Sequence, residues 1–459
     1  MKLNYKRTIF VGFAFFLISA FWQAYDAIVP LILTNHFGLS QDWSGAVMSL
    51  DNILAVFMLP LFGSLSDKSK SKYGRRTPFV FLGTVAAVTC FIILTFVDNF
   101  QLARLSAEGV VGGEDAIAGA LKLTLANPWP LISFLGVLLL VLIAMATFRS
   151  PAVALMPDVT IKPLRSKGNA IINLMGAAGG ILVLVLGMIF GTSKSKYMSY
   201  TGYVVGVCAI MVCGIVLFLL NVKERKWAEE MEEETDRLGL REIPEEKTPV
   251  ETRKLSKGEL VSLLLILASV ALWYIGYNSI TSKYSFYATN ILLGFDFNLT
   301  LIVAQAAAII SYIPVGIVAS KIGRKKTILA GIVMLASAFL GGHFVTPETS
   351  ELIMYPIFIL AGMGWATINV NSFPMVVELA RGGDVGKYTG YYYTASMAAQ
   401  IAAPIVSGIL YEQLGMRNVF FIFGTVFVAA SFVTMFFVRH GDAKPVAQGA
   451  LESLGASDD

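Results

Sequence analysis

Charge is what this sequence has least of. Of its 459 residues only 14% are charged and 56% are hydrophobic. Mean hydropathy is +0.69. A soluble domain carries about 25% charged residues. A chain this poor in charge cannot cover a water-facing surface, which excludes an ordinary soluble protein. Cysteine is nearly absent. Cys90, Cys208 and Cys213 all fall within apolar runs and read as small packing residues, with neither a disulfide framework nor metal spacing. Histidine is as scarce: His36, His343 and His440 lie scattered near the ends of apolar runs, so no metal site is expected. There is no Walker phosphate loop, which argues against an ATP-driven pump, and no nucleophile motif, so no enzyme is expected.

What the chain does have is long hydrophobic runs. A transmembrane helix needs about 20 mainly apolar residues. Twelve candidates are present, at 8–34, 43–65, 78–97, 130–150, 168–190, 199–221, 260–286, 297–319, 326–345, 352–373, 387–410 and 418–438. They are too long and too uniformly apolar for the alternating strands of a β-barrel. The first is too long for a signal-peptide core, and further spans follow it. The expected fold class is therefore an all-α integral membrane protein. Its cations are distributed unevenly. With the N-terminus placed inside, 28 of the 35 Lys and Arg fall in inner segments and 5 in outer loops. Inner loops carry the excess of Lys and Arg, so both termini are expected in the cytoplasm of a multi-pass protein of the cell (inner) membrane. Arg149 and Lys283 lie within or at the edge of spans, and snorkelling to the nearer surface is one reading of each.

The most basic inner loop has an echo. "GSLSDKSKSKYGRRTPF" follows the second span as "GIVASKIGRKKTIL" follows the eighth, so that Gly74 corresponds to Gly323. "MPDVTIKPLRSKGNA" after the fourth span likewise matches "VVELARGGDVGKYTG" after the tenth, pairing Asp158 with Glu378. The two offsets, 249 and 220, differ by 29 residues, which an insertion in the outer loop 98–128 accounts for, its counterpart at 346–351 being very short. The chain divides into an N-terminal six-helix bundle at 1–221, a charged cytoplasmic linker at 222–257, a C-terminal six-helix bundle at 258–440 and a cytoplasmic tail at 441–459. The linker, Glu-rich at 229–234, reads as a solvated tether or a surface helix. Internal repeats of this kind mark transporter folds. The loop with Gly63, Asp67, Gly74, Arg75 and Arg76 resembles the inner-loop signature of the major facilitator superfamily. More narrowly, "SDKSKSKYGRRTPF", "ALMPDVTIKPLRSKGNAIINLMG" and "WQAYDAIVPLIL" resemble the sucrose-transporter-like branch of the glycoside–pentoside–hexuronide cation symporters. The resemblance implies a major facilitator fold with twelve transmembrane helices in two pseudo-symmetric bundles.

Those loop residues form the candidate cytoplasmic gate: Gly63, Asp67, Gly74, Arg75, Arg76, Asp158 and Glu378. Asp67 ends the second span and is placed to accept hydrogen bonds from the N-terminus of a facing helix, where the helix dipole favours a carboxylate. The resemblance makes the helix starting near Gly386 its partner. Arg75 or Arg76 is expected to pair with Asp158 or Glu378. The alternative is that these charges only signal topology.

A charge at membrane depth is expensive and by default functional. Asp26 lies in the outer half of the first span, with Trp22 one turn before it, Gln23 beside them and Ser19 continuing the face. Acids accept sugar hydroxyl protons and rings cover the apolar face of a sugar. The resemblance implies that Tyr25-Asp26 contacts the sugar; a hydrogen bond between packed helices is the other reading of Asp26. Asp51, followed by Asn52, sits near the middle of the second span and is the first candidate for cation coupling, with Asp26 the second. The resemblance implies that sodium-coupled relatives place paired acids farther along this helix. Here those positions hold Ala55 and Leu59, so the coupling ion is expected to be H+, with uniport open. Further candidate substrate residues are Arg149, Asn173, Tyr274, Tyr277, Asn278, Trp365, Asn369, Tyr393 and Gln400. The "GAAGG" run from Gly176 reads as close helix packing. Rings and amides with few cations suit a neutral polyhydroxyl ligand better than a phosphate ester. The expectation is a monomeric, proton-coupled importer of a neutral sugar such as a disaccharide, with the bilayer as its other partner, no nucleic acid and no cofactor. An exporter of drugs or lysolipids of the same fold is the alternative, and a non-transporting sugar sensor a further one.

Overall fold

The computed structural model describes residues 3–111, 115–161, 164–238, 256–379 and 385–440. The tail at 441–459, most of the linker beyond Leu238, Lys162 and Arg381 lie outside them. Among the described residues twelve helices are long and apolar enough to cross a membrane: Tyr5–His36, Gln41–Asp67, Thr77–Ala107, Trp129–Val159, Lys167–Phe190, Thr201–Asn221, Lys257–Ile291, Phe297–Ile322, Arg324–His343, Glu351–Val377, Lys387–Leu414 and Met416–Phe436. We number them as the first to twelfth spans. In hydrocarbon every backbone N–H and C=O must be satisfied within the segment, which leaves the helix as the structure such runs can adopt.

The two halves repeat one another contact for contact. The first span packs on the fifth and sixth, as the seventh does on the eleventh and twelfth. The third packs on the fourth and sixth, as the ninth does on the tenth and twelfth, and the second on the fourth, as the eighth on the tenth. Small residues permit these approaches. Gly176 and Gly179 of the fifth span lie against Ser19 and Phe16 of the first, in keeping with the packing reading of that run.

Two features differ from expectation, and the linker takes one of its two expected forms. The segment 98–128 is not a loop: the third span runs on to Ala107, and Ala116–Ala126 forms a separate helix. The extension is held by polar pairing. Asp98 Oδ1 lies 2.6 Å from His36 Nδ1, Gln101 Nε2 donates to His36 O at 3.0 Å and to Thr124 Oγ1 at 3.2 Å, and all are buried. The second span is broken at Ser49, whose hydroxyl lies 3.0 Å from both Gly45 O of its own helix and Ile401 O of the eleventh span. Asp51 consequently occupies the first turn of a new helix, where the dipole favours its carboxylate. The linker begins as a helix, Glu224–Arg237, docked on the N-terminal half through buried Trp227 and Glu224.

The halves meet through the second and eleventh spans and through the fifth and eighth. Gly45 packs on the carbonyl of Pro404, and Gly408 on the backbone at Gln41, so both crossings are helix backbone on helix backbone. These contacts lie at the end of the bundle far from the basic loops. Toward the basic end the same helices diverge: Phe57, Leu61 and Leu65 of the second span and Tyr391 and Tyr393 of the eleventh are exposed. The structure is thus closed at its far end and parted at its basic end.

A side chain at either crossing glycine would wedge the far end apart. Gly408→Val is expected to cost about 1–3 kcal/mol in the closed arrangement and to lengthen spin-label distances between the second and eleventh spans at their far ends, leaving thermal unfolding of each half little changed.

Candidate functional site

Between the halves lies a chamber of two connected lobes, of 330 and 420 Å³. Three helices each supply one stripe to the first lobe. From the first span come Ser19, Trp22, Gln23 and Asp26; from the fifth, Asn173, Gly176, Ala177 and Gly180; from the eighth, Gln305, Ala308, Ile309 and Tyr312. Each set follows the spacing of three and four residues that keeps side chains on one helix face. The second lobe is bounded by Tyr277, Asn278 and Thr281 of the seventh span and Ala361, Gly362 and Trp365 of the tenth. Gln23, Asp26, Gln305, Ala308 and Tyr312 border both lobes.

Asp26 stands at this junction. It is exposed although it lies deep in the bundle, because the surface it presents is chamber wall. Its backbone carbonyl accepts a hydrogen bond from Ser285 Oγ of the other half at 3.1 Å. The Tyr277 and Trp365 rings stack 3.6 Å apart at 6°, and Tyr274 meets Trp365 edge-on at 5.3 Å. Trp22 Nε1, both side-chain atoms of Asn173 and Gln305 Oε1 are buried with no hydrogen-bond partner among the described residues. Buried polar groups are nearly always paired. Here four such atoms belong to three residues around one cavity, ready for a ligand that both donates and accepts.

Of the sequence candidates, Trp22, Gln23, Asp26, Asn173, Tyr277, Asn278 and Trp365 line the chamber. Tyr274 braces Trp365 from behind. Asn278 spends one amide hydrogen on Tyr274 O, 2.8 Å away in its own helix. Arg149 does not line either lobe: its guanidinium sits 5.7 Å over the Trp22 ring. Asp51 does not line them either. It accepts from Asn52 Nδ2 at 2.9 Å and lies within electrostatic reach of Arg149 and Asp26. Asn369, Tyr393 and Gln400 are also outside the lining. The face of the eleventh span that carries Tyr393 and Gln400 continues into Pro404, which is packed on the second span instead. Tyr25 points into the N-terminal bundle, where Phe21 and Trp22 surround its ring.

Sequence reasoning missed Gln305 and Tyr312. The signal was available: an amide in the middle of a largely apolar span, with a tyrosine two turns on. It also missed the clasp at the far end. Lys283, read as a candidate for snorkelling, is instead fully buried between the halves. Its Nζ donates to Gln41 O at 2.7 Å and Gln41 Oε1 at 3.0 Å, while Gln41 N donates to Glu412 Oε2 at 2.9 Å. Asn290 Nδ2 donates to Asn35 Oδ1 at 2.5 Å, and Asn298 Nδ2 to Thr192 Oγ1 at 3.0 Å.

The basic end is organised within each half. Arg76 pairs with Asp67, and its Nε lies 2.8 Å from Asp158 Oδ2, with Arg75 at 3.5 Å from the same oxygen. Burial opposes the Arg76 charge, but the hydrogen bonds of Asp158 and Asp67 outweigh it and raise its pKa. Glu224, missed in the sequence, accepts from Arg76 N at 2.8 Å and Thr77 N at 2.7 Å, capping the third span. In the C-terminal half Arg324 bonds Glu378 at 2.5 Å. Each half therefore joins the arginine after its loop glycine to the acid after its fourth helix. Gly74 and Gly323, at φ of +122° and +93°, make the turns that allow it. Gly63 lies against Ser150 of the fourth span. The expected latch between Asp67 and the helix starting near Gly386 is absent among the described residues, because the two halves are parted at this end; Glu378 likewise pairs within its own half.

The sequence matches the model of the Major Facilitator Superfamily over residues 11–379 and 295–457. An uncharacterized MFS-type transporter of Methanocaldococcus jannaschii is 21% identical over 94% of this chain and 95% of its own. The sucrose transport protein SUC3 of Arabidopsis thaliana is 28% identical over 42% of this chain and 30% of its own. A multi-drug resistance efflux pump PmrA homolog of Lactococcus lactis is 31% identical over 30% of this chain and 33% of its own. The shorter alignments span between 23% and 33% of the relatives' length. The inward open conformation of the xylose transporter XylE from E. coli superposes with a TM-score of 0.63 at 14% identity, covering 97% of this chain and 98% of that one.

Replacing Lys283 by Met removes two charge-assisted hydrogen bonds that cross between the halves. The expected loss is about 3 kcal/mol in the far-end closure, roughly a hundredfold in the ratio of closed to open. Thiol labelling of a cysteine introduced at Ser44, which is fully buried in this structure, is expected to accelerate correspondingly.

Proposed function

The chain belongs to the Major Facilitator Superfamily, and on that premise we propose that it is a secondary transporter importing a neutral sugar, a disaccharide or other glycoside, together with protons. The observation that carries the reading is the two-lobed chamber between the halves. It combines one acid, four amides, of which Asn173 and Gln305 have buried polar atoms with no partner among the described residues, and a stacked Tyr277–Trp365 pair. Hydroxyls need acceptors and donors together, and the apolar face of a sugar ring needs an aromatic surface. Lys and Arg are missing from both linings, which disfavours a phosphate ester. The partial likeness to a sucrose transport protein supports the same substrate class.

Alternating access follows from the packing. With the basic end assigned to the cytoplasm by its Lys and Arg, the structure is inward-facing. Breaking the Lys283–Gln41–Glu412 clasp and the two glycine crossings opens the far side; joining the basic ends closes the near side. A ligand biases that equilibrium only as far as it binds one state better than the other. Asp26 borders the ligand space, and Asp51 stands near Arg149 and Asp26, so a proton taken up by either carboxyl changes the charge felt by the chamber. Ala55 is buried and Leu59 is apolar, so no second acid stands where a sodium cage would need oxygens.

A second reading, export of drug-like molecules, draws on the likeness to the efflux pump homolog of Lactococcus lactis. The polar lining weighs against it. Vesicle uptake separates the two. With an imposed inward proton gradient the wild type is expected to concentrate a disaccharide, and a sodium gradient is expected to have no effect. Asp51→Asn is expected to equilibrate the sugar without accumulating it, and Asp26→Asn to lose uptake at least tenfold. Accumulation by Asp51→Asn equal to the wild type would remove Asp51 from coupling.

A further inference from the structure

The eighth span turns one stripe toward the chamber, with Gln305, Ala308 and Tyr312 on it. Because all three border both lobes, this stripe is the ridge between them. Gln305 is its amide. Gln305 Oε1 is buried and unpartnered among the described residues, so it carries its full desolvation cost in this structure.

Gly180 of the fifth span faces it. A Cβ built on Gly180 would lie 3.2 Å from Gln305 Nε2, 3.5 Å from Gln305 Oε1 and 3.7 Å from Gln23 Oε1. Two carboxamides, one from each half, thus converge on one glycine. A carboxamide both donates and accepts, and so does a hydroxyl, whereas an ionised carboxylate such as Asp26 only accepts. A hydroxyl placed against this amide pair can therefore engage both at once, and in doing so touches both bundles.

We propose that Gln305 is a specificity-determining residue: with Gln23 it reads one hydroxyl of the carbohydrate at the junction of the two lobes, and Gly180, having no Cβ, leaves the room in which the Gln305 amide lies close to Gln23. The assignment rests on the sugar reading above and adds to it a named discriminating contact. A site built to hydrogen-bond a hydroxyl rejects the analogue that lacks it, because its own polar groups are then left unpaired.

The test is binding by isothermal titration to the purified, detergent-solubilised protein. Sucrose, maltose, trehalose and melibiose are the probes, followed by the monodeoxy derivatives of whichever binds tightest. The wild type is expected to lose at least tenfold in affinity for one monodeoxy derivative. Gln305→Leu is expected to bind the parent sugar at least tenfold more weakly and to bind that derivative and the parent alike. Gly180→Ala adds one methyl group that displaces the amide, and is expected to weaken the parent sugar in the same direction. It carries the comparison if the leucine variant does not fold. Thermal unfolding within a few degrees of the wild type checks folding. Unchanged discrimination in Gln305→Leu, or wild-type affinity in Gly180→Ala, overturns this assignment alone. Absence of binding of all four sugars to the wild type overturns the sugar reading and this inference with it.

Discussion

Two helices that cross with nothing between their backbones hold this molecule in its present shape. Gly45 against Pro404 and Gly408 against Gln41 bring the second and eleventh spans together at the far end. Between membrane helices there is little hydrophobic drive, since lipid tails are as apolar as leucine. Close packing and hydrogen bonds must do the joining instead. The glycines supply the first, and Lys283, Asn290 and Asn298 supply the second. A buried ammonium is tolerable there only because carbonyl oxygens receive it, with Asp42 and Glu412 nearby. The same contacts that shut the far end leave the basic ends free to part, and the chamber lies between.

Polar groups inside the bundle fall into two populations with different consequences. Several of those at helix crossings are satisfied. Ser49 bonds across to Ile401, Ser269 lies 2.6 Å from Thr434, and Tyr411 donates to Ser279 O at 3.0 Å. Such groups fix the packing and have little capacity left for a ligand. Around the chamber Trp22, Asn173 and Gln305 keep buried polar atoms with no partner among the described residues, and these give the cavity its chemistry. The distinction is one of partner, not of residue type: Asn371 bonds Thr367 O in its own helix, whereas Asn173 has no partner among the described residues.

The repeat also has a mechanical side. In each half one arginine and one acid tie the end of one hairpin to the end of the next, so each bundle has its own brace at the basic end. The braces make the halves separate rigid bodies. Glu224 extends the first of them to the linker helix, which is thereby fixed to the N-terminal bundle. Asp67, held by Arg76, is therefore already engaged within its own half before any contact across the gap is made.

Twelve spans, the two halves and the pairing of Asp158 with the arginine loop were legible because each leaves a one-dimensional trace: run length, repeated spacing, an excess of cations on alternate loops. Hydrocarbon imposes the helix wherever such a run occurs, so the sequence alone determined the fold class. Which face of each helix looks inward was decided only by the tertiary structure. An apolar span shows no amphipathic stripe when both lipid and protein neighbours are greasy, so Gln305 and Tyr393 look alike in the sequence as polar or aromatic residues within apolar spans. Packing of the eighth span beside the fifth puts one into the chamber, whereas the other lies outside both lobes, its ring beside Phe373 and Tyr392. Lys283 makes the same point: its charge was visible, but the carbonyl oxygens that receive it come from a residue 242 positions away.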